Sequence, residues 1–328
     1  MQQRVKGKFA LRCLISAALF GWFFYAVGWR QVGLALVRIS PLYVGLAVLL
    51  IVAAVVISTV KWRFLLRAQD LEVGGAELHN IYWVGLFFNN LLPSSIGGDA
   101  VRVAMVGRQT GKPAIAASSV VMERVVATLA LALVGFSASF FVTVRLPYVQ
   151  AAFAVLCVIS LMLLGLLLAG GVPRFCAGSD HRFCVLLRRF MAAGEKVRAK
   201  PGLLGACFLW SVIFQLSNVA VNYVLLQGLA LQTVGLWDVL VIVPATAVLA
   251  MIPVGINGYG LREGGYITLL AAYGVDSASA FSVSILFAFL VSACSLWGGL
   301  VWLRRGKGEQ VYARENRADC PAEDGCGL

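Results

Sequence analysis

The sequence predicts an all-α polytopic membrane protein with six full spans and two re-entrant hairpins arranged as an inverted repeat. Three observations predict this fold: the composition, a series of long apolar segments, and two apolar segments interrupted by Pro and Gly. Of the 328 residues, 60% are hydrophobic and 13% are charged, and the mean hydropathy is +0.88. A soluble domain of this length cannot bury so much apolar surface, so many of these side chains must face lipid.

Six apolar segments are long enough to cross a hydrocarbon core about 30 Å thick. They are, approximately, residues 10–28, 42–60, 114–144, 148–170, 202–226 and 278–303. The topology that best obeys the positive-inside rule places 21 Lys and Arg inside, three outside and three at membrane depth. Both termini are therefore expected in the cytoplasm, with the protein in a bacterial inner membrane. The same rule accounts for the net charge of +12 without a nucleic-acid partner.

One transmembrane domain is expected over residues 1–306, followed by a disordered cytoplasmic tail over residues 307–328. The repeat halves of the domain are residues 8–144 and 148–305, approximately. Cysteine and histidine spacing indicates no metal site, and no cofactor is expected.

Two apolar segments, 77–112 and 236–275, are broken by Pro and Gly and fit no full span. Within them, LPSSIGGDAVR at 92–102 aligns with IPVGINGYGLR at 252–262 at an offset of 160 residues. The same offset superimposes two pairs of predicted spans. Three full spans separate the two broken segments, and an odd number inverts the second copy. The pattern therefore predicts two re-entrant hairpins whose tips meet near the midplane and frame a binding site.

The first tip contains residues suited to a helix reversal beside an anion. Pro93 is expected to end the ascending half-helix, and Gly97 and Gly98 to allow a tight turn and a close backbone approach. Asp99 is expected to cap the descending half-helix, with Arg102 one turn later on the same face.

The second tip repeats this plan. Pro253 matches Pro93, Asn257 and Gly258 are expected to make the turn, and Arg262 and Glu263 follow.

Six ionisable residues are predicted at membrane depth, where each costs at least about 2.5–3.5 kcal/mol. They are Asp99, Arg102, Glu123, Arg124, Arg262 and Glu263. One interpretation is an anion site in which the three arginines converge and the carboxylates tune the charge, carry protons or receive a cationic headgroup. The alternative is a set of buried ion pairs, Asp99 with Arg124 or Glu123 with Arg102, that lock the hairpin to its neighbour.

The motifs NNLLPSSIGGDAVR (89–102), ER (123–124) and PVGINGYGLRE (253–263) resemble the lysylphosphatidylglycerol synthase transmembrane-domain family, the flippase-like, UPF0104-type integral membrane proteins. The resemblance covers about residues 8–305. It implies that the protein flips a lipid, since the membrane half of the multiple peptide resistance factor moves aminoacylated phosphatidylglycerol across the bilayer. It also implies that the six ionisable residues are matched motif positions.

The sequence departs from that family in two respects. Nothing after residue 305 is expected to fold into a soluble aminoacyl transferase, so the protein is not expected to be an enzyme. Ala127 and Thr128 stand where many relatives have an Asp, which leaves a proton-relay role there in doubt.

The expected function is translocation of an anionic or aminoacylated phospholipid, or of a related lipid-linked headgroup. An enzyme acting on a polyprenyl-phosphate-linked substrate is an alternative, although the outer segments offer as acids only Asp238 and Asp276. A small-solute transporter is another. Membrane lipids are the expected partners, and the sequence leaves open a separate lipid-modifying enzyme and a homo-oligomer.

Overall fold

The computed structural model describes residues 39–91, 97–169, 182–252 and 260–318, together with residues 33, 37 and 258. Within these residues the chain is helical and has no strand. The helices are α1 (Pro41–Ala68), α2 (Gly75–Leu91), α3 (Gly97–Thr110), α4 (Pro113–Ala138), α5 (Pro147–Ala169), α6 (Arg182–Arg198), α7 (Pro201–Gly228), α8 (Leu236–Met251), α9 (Leu261–Ala271) and α10 (Ser277–Ala318).

Five helices in the described part of the chain are long and apolar enough to cross a membrane: α1, α4, α5, α7 and the part of α10 from Ser277 to Arg304. They coincide with five of the six predicted spans, which confirms an all-α, multi-pass membrane protein. The remaining predicted span, residues 10–28, lies outside the described residues. Helix α10 continues to Ala318, into the segment 307–328 for which the sequence predicts a disordered tail.

Proline defines where the long helices begin. Pro41, Pro113, Pro147 and Pro201 are the first residues of α1, α4, α5 and α7. Proline suits this position because its φ angle is already helical and the missing N–H would have no partner in the first turn. The chain therefore leaves each preceding loop at a defined residue and enters the membrane as a helix.

The internal repeat is visible in the helix bounds. An offset of 160 residues carries α1 onto α7 at both ends, and carries α2 and α3 onto α8 and α9 within a few residues. Helices α1 and α7 also end alike, because Asp70 and Ala230, 160 residues apart, adopt left-handed φ angles of 58° and 59°. Each predicted hairpin thus corresponds to two helices, α2–α3 or α8–α9, on either side of a short segment.

Helix packing follows the same repeat. Helix α2 packs against α10, and its counterpart α8 packs against α4; α3 packs against α4 as α9 packs against α10. Helices α1 and α7, which are counterparts, pack along one another. The most buried spans are α4 and α10, and α5 is the least buried, with apolar side chains such as Leu161, Met162 and Leu166 directed outward. The two helix pairs are therefore held against the central helices of opposite halves.

The end of α1 is tied to the start of α7 by exposed charges. The Asp70 carboxylate pairs with Lys200 at 2.5 Å and with Lys196 at 2.9 Å. Chiefly through the Lys200 hydrogen bond, these ammonium groups hold the pKa of Asp70 at about 2, below its ordinary value of 3.8. A lowered pKa stabilises the fold when the carboxylate is ionised, so the contribution is present above about pH 4 and is lost as the pH falls through 2.

Replacing Asp70 with Asn is therefore expected to lower the thermal midpoint slightly at pH 5 and hardly at all near pH 2. The effect is small because all three side chains are exposed to solvent. Thermal unfolding of the detergent-solubilised protein and the variant across this pH range measures the difference, which should also shrink in about 1 M salt. A constant difference across the range would contradict the assignment.

Candidate functional site

Asp99 lies between two arginines where α3 crosses the middle of α4. Its Oδ1 accepts a hydrogen bond from Arg102 Nη1 at 3.2 Å. Its Oδ2 accepts from Arg124 Nε at 2.8 Å and also pairs with Arg124 Nη2 at 2.8 Å. Asp99 and Arg102 are three residues apart on α3, so they share one helix face. The carboxylate therefore fixes the direction of both guanidinium groups.

Arg102 is the buried centre of this cluster. Its Nη2 donates to Glu123 Oε2 at 2.5 Å. Its guanidinium lies 4.0 Å from the ring centre of Trp62 and 4.4 Å from that of Tyr82. Aromatic faces stabilise a cation held in this way, and the planar guanidinium is well suited to it. Arg102 therefore joins α1, α2, α3 and α4 in one contact.

Lys61 is the second cation held by Glu123. Its Nζ lies 3.3 Å from Glu123 Oε1 and 4.5 Å from the ring centre of Phe214. Both Lys61 and Glu123 are buried. In the sequence, Lys61 follows a predicted span and is counted with the cytoplasmic basic residues; this count is wrong for Lys61, because α1 continues to Ala68 and directs the ammonium group into the protein.

The five charged side chains of this cluster do not balance. Lys61, Arg102 and Arg124 carry three positive charges, and Asp99 and Glu123 carry two negative charges, so the cluster has a net charge of +1. The Arg124 side chain is 55% exposed, although it lies near the middle of the candidate span α4. We call these five residues the first charge cluster. Its accessible edge is cationic, which suits an anion.

Glu263 organises a second cluster at the start of α9. Its Oε2 accepts from the Gly260 amide at 2.6 Å, and its Oε1 accepts from Ser284 Oγ at 3.2 Å. Arg262 Nη2 pairs with the same Oε1 at 3.0 Å. Glu263 is completely buried and thus ties α9 to α10. Gly258 precedes this helix with a φ angle of 77°, a conformation that confirms the predicted turn and favours glycine.

A hydrogen bond beside this cluster joins α7 to α9. The Tyr266 hydroxyl donates to Asn222 Oδ1 at 2.6 Å, and both residues are buried. Asn222 thus acts as the interhelical contact that a polar residue inside a span favours.

Gly97 and Gly98 differ from their predicted role in a turn, because both belong to the first turn of α3. The close backbone approach expected there is present: a Cβ atom on Gly98 would lie 1.9 Å from the Gly85 carbonyl oxygen. The Gly98 amide donates to Asn89 Oδ1 at 2.9 Å. Asp99 is likewise the third residue of α3, so it is not the helix cap and its carboxylate is used by the arginines.

The structure brings together four of the six predicted ionisable residues and leaves the other two in the second cluster. Arg102 and Arg124 meet through Asp99, whereas the ion pair recorded for Arg262 is with Glu263. The pairs expected under the locking alternative, Asp99 with Arg124 and Glu123 with Arg102, are both formed. Pro93, Pro253 and Asn257 lie outside the described residues.

Lys61, Trp62 and Tyr82 are site residues that the sequence analysis missed. A basic or aromatic residue after an apolar run is normally the signal for a membrane interface. The available sign was that α1, with its continuous helical composition, extends beyond the predicted span end at residue 60.

The acids considered for an enzyme have structural contacts. Asp238 is buried and accepts from the Thr143 amide at 2.8 Å and the Gly235 amide at 3.1 Å. Asp276 accepts from the amides of Ala278 and Ser279 at 3.0 Å, which caps α10. Among the residues that the structure describes, no group of three His, Cys, Asp or Glu side chains could hold a metal ion.

An apolar groove of about 710 Å³ lies beside the second cluster, between α5, α8 and α9. Gly260, Gly264 and Gly265 line its α9 side, where missing side chains leave space. The other lining residues are Tyr148, Val149, Ala152, Phe153, Ala245, Val248, Leu249, Leu261, Ile267, Thr268 and Leu269. The groove is wide enough for an acyl chain and offers little for a polar solute.

Fold and site together define a multi-pass membrane protein built from two repeated helix sets, with ion pairs inside the spans. The model of the lysylphosphatidylglycerol synthase TM region matches residues 9–300, and the chain therefore belongs to that family.

Individual relatives are archaeal UPF0104 membrane proteins. The one from Pyrococcus horikoshii is 23% identical over 305 residues, which cover 83% of this chain and 90% of the relative. The one from Methanothermobacter thermautotrophicus is 31% identical over 105 residues, and the match spans about a third of each chain, 32% of this one and 31% of the relative. The one from Methanocaldococcus jannaschii is 29% identical over 127 residues, 38% of each chain.

Proposed function

We propose that this protein translocates lipids across the membrane and binds the lipid headgroup at the exposed edge of the first charge cluster. The observation that carries the proposal is Arg124, which is 55% exposed near the middle of a candidate span. An arginine in contact with hydrocarbon at that depth is costly, so its exposed edge must face water or a polar ligand. A polar headgroup that crosses the bilayer needs such a surface.

The guanidinium of Arg124 is already oriented for a ligand. Asp99 accepts from its Nε and pairs with its Nη2, which leaves the Nη1 amino group on the side away from the carboxylate. A phosphate oxygen can accept charge-assisted hydrogen bonds from that edge. Because Asp99 also holds Arg102, binding an anion at Arg124 requires no rearrangement of the buried charges.

The proposed path places the helix pairs α2–α3 and α8–α9 as re-entrant hairpins that enter from opposite sides. The matched helix bounds and the exchanged packing against α4 and α10 support this arrangement. The distribution of basic residues places both termini in the cytoplasm. Sites framed by interrupted helices in two inverted halves are common in transporters.

The apolar groove favours a lipid over a soluble solute. Its walls are aliphatic and aromatic, and Tyr148 at its margin is exposed. An acyl chain can lie in the groove or in the surrounding lipid while the headgroup passes the charged residues. The sequence has no Walker A motif for ATP hydrolysis, so a lipid gradient, the membrane potential or a proton gradient would drive net movement.

A reconstituted translocation assay tests the proposal. Purified protein is placed in liposomes with fluorescent phosphatidylglycerol, lysyl-phosphatidylglycerol or a polyprenyl phosphate, and dithionite reports the lipid exposed in the outer leaflet. The wild type is expected to accelerate exchange of one of these lipids. The Arg124→Ala variant is expected to lose about ten- to a hundredfold in rate, the value of a charge-assisted hydrogen bond.

Arg108→Ala is the matched control, because Arg108 is an exposed arginine near the end of α3. It should translocate at the wild-type rate. Arg124 is a sharper probe than Arg102, because removing the buried Arg102 also disturbs four helices. Equal rates for wild type and Arg124→Ala, from folded protein, would refute the assigned site.

A further inference from the structure

We infer that the headgroup accepted at the first charge cluster is a net-anionic phosphodiester without a cationic amine. The inference rests on the proposed function and narrows its substrate class. A cationic headgroup, such as a lysyl ester, needs an available carboxylate. The first charge cluster and the Glu263 cluster offer none, for reasons that the positions of the acids make explicit.

The acids that could serve are few and all are placed by the structure. The predicted spans and hairpin interiors contain three carboxylates, Asp99, Glu123 and Glu263, besides Asp238 in the first turn of α8. Residues 1–40, 92–96 and 253–257 contain no Asp or Glu in their sequence. A carboxylate for an amine would therefore have to be one of these four.

Each carboxylate oxygen of the three deeper acids already has a partner. The two oxygens of Glu123 pair with Lys61 and Arg102. The two oxygens of Asp99 pair with Arg102 and Arg124. Those of Glu263 accept from the Gly260 amide on one side, and from Arg262 and Ser284 on the other.

Burial reinforces this saturation. Glu263 and Glu123 are 0% and 3% exposed, and Asp99 is 8% exposed. Asp238 is 1% exposed and accepts hydrogen bonds from Thr143 and Gly235. An amine could reach these oxygens only by displacing an internal donor and leaving that donor buried without its partner, which is unfavourable.

The accessible charge has the opposite sign. Arg124 is the most exposed charged side chain of the two clusters, at 55% against 16% for Arg262, and the first charge cluster has a net charge of +1. A phosphodiester carries one negative charge and would neutralise this excess. A headgroup amine would be repelled by Arg124, and like charges brought together in a desolvated site cost several kcal/mol, which forms the basis of the selectivity.

The test compares three lipids labelled on an acyl chain, so that each headgroup is intact: phosphatidylglycerol, phosphatidylethanolamine and lysyl-phosphatidylglycerol. Each is added at trace level to phosphatidylcholine vesicles containing the wild type, Arg124→Gln or Arg108→Ala. The wild type is expected to move phosphatidylglycerol about tenfold faster than the two amine-bearing lipids. Arg124→Gln should abolish this preference, and Arg108→Ala should retain it.

The outcomes separate the inference from the proposed function. Equal or faster movement of lysyl-phosphatidylglycerol by the wild type would overturn the inference while leaving lipid translocation in place. Acceleration of no lipid, from protein shown to be folded, would overturn the proposed function and the inference with it. A preference for phosphatidylglycerol that survives in Arg124→Gln would show that another group selects the headgroup, and would overturn the inference as stated.

Discussion

Replacing Glu123 with Gln is expected to lower the free energy of unfolding by about 3–5 kcal/mol, which is the cost of removing one partner from a buried ion pair. The carboxylate of Glu123 holds Lys61 and Arg102, and all three residues are buried. After the substitution, Lys61 loses its carboxylate and the net charge of the cluster rises from +1 to +2. Thermal unfolding in mild detergent, followed by size-exclusion chromatography, measures the loss.

A second substitution should reverse most of this effect. The double variant Glu123→Gln/Lys61→Met removes one negative and one positive charge, so the net charge returns to +1. Lys61→Met alone leaves Glu123 paired with Arg102 and should cost much less than Glu123→Gln. The two substitutions are therefore expected to be strongly non-additive, as for residues in one network. Additive losses would mean that charge balance does not hold the cluster together.

Replacing Gly98 with Ala is expected to separate the two helices of the first pair. The added Cβ would lie 1.9 Å from the Gly85 carbonyl oxygen and 2.7 Å from Asn89 Oδ1, so α3 and α2 must move apart. Overpacking costs roughly 1–3 kcal/mol when side chains can adjust, and backbone atoms adjust less readily. Since Asp99 follows Gly98 directly, the variant should also displace the first charge cluster and reduce translocation.

Gly45→Ala is the matched control, because Gly45 is in α1 and has no atom within 4 Å of an added Cβ. Alanine is the better helix former by about 1 kcal/mol, so this variant should be as stable as the wild type or more so. Thermal midpoints of the two variants against the wild type provide the comparison. A midpoint for Gly98→Ala equal to that of Gly45→Ala would show that the helices do not approach as closely as described.

The spans were predictable because an apolar run of sufficient length has few alternatives to a membrane helix. The interruptions were predictable for a similar reason, since Pro and Gly at matching positions of two apolar segments rarely have another meaning. The helix ends were less predictable. Gly98 was assigned to the turn because glycine favours turns, but α3 begins at Gly97 and uses Gly98 for helix packing.

The candidate site was predictable in its residue types and less so in its pairings. The spacing of Asp99 and Arg102 indicates a shared helix face, and the structure contains that pair. The position of Lys61 depends on how α1 and α4 pack, which no local pattern encodes. Tyr82 and Trp62 likewise reach Arg102 from different helices, so their contact with a cation is a property of the assembled fold.

The first charge cluster also has a consequence for biosynthesis. Lys61 enters the membrane on α1, Arg102 on α3, and their shared carboxylate, Glu123, follows only on α4. Until Glu123 has been translated, the earlier helices contain cations that lack this counter-charge, each costing about 2.5–3.5 kcal/mol in lipid. The insertion machinery must therefore shelter these helices while the ribosome completes α4, and the first half of the protein becomes stable as a unit rather than helix by helix.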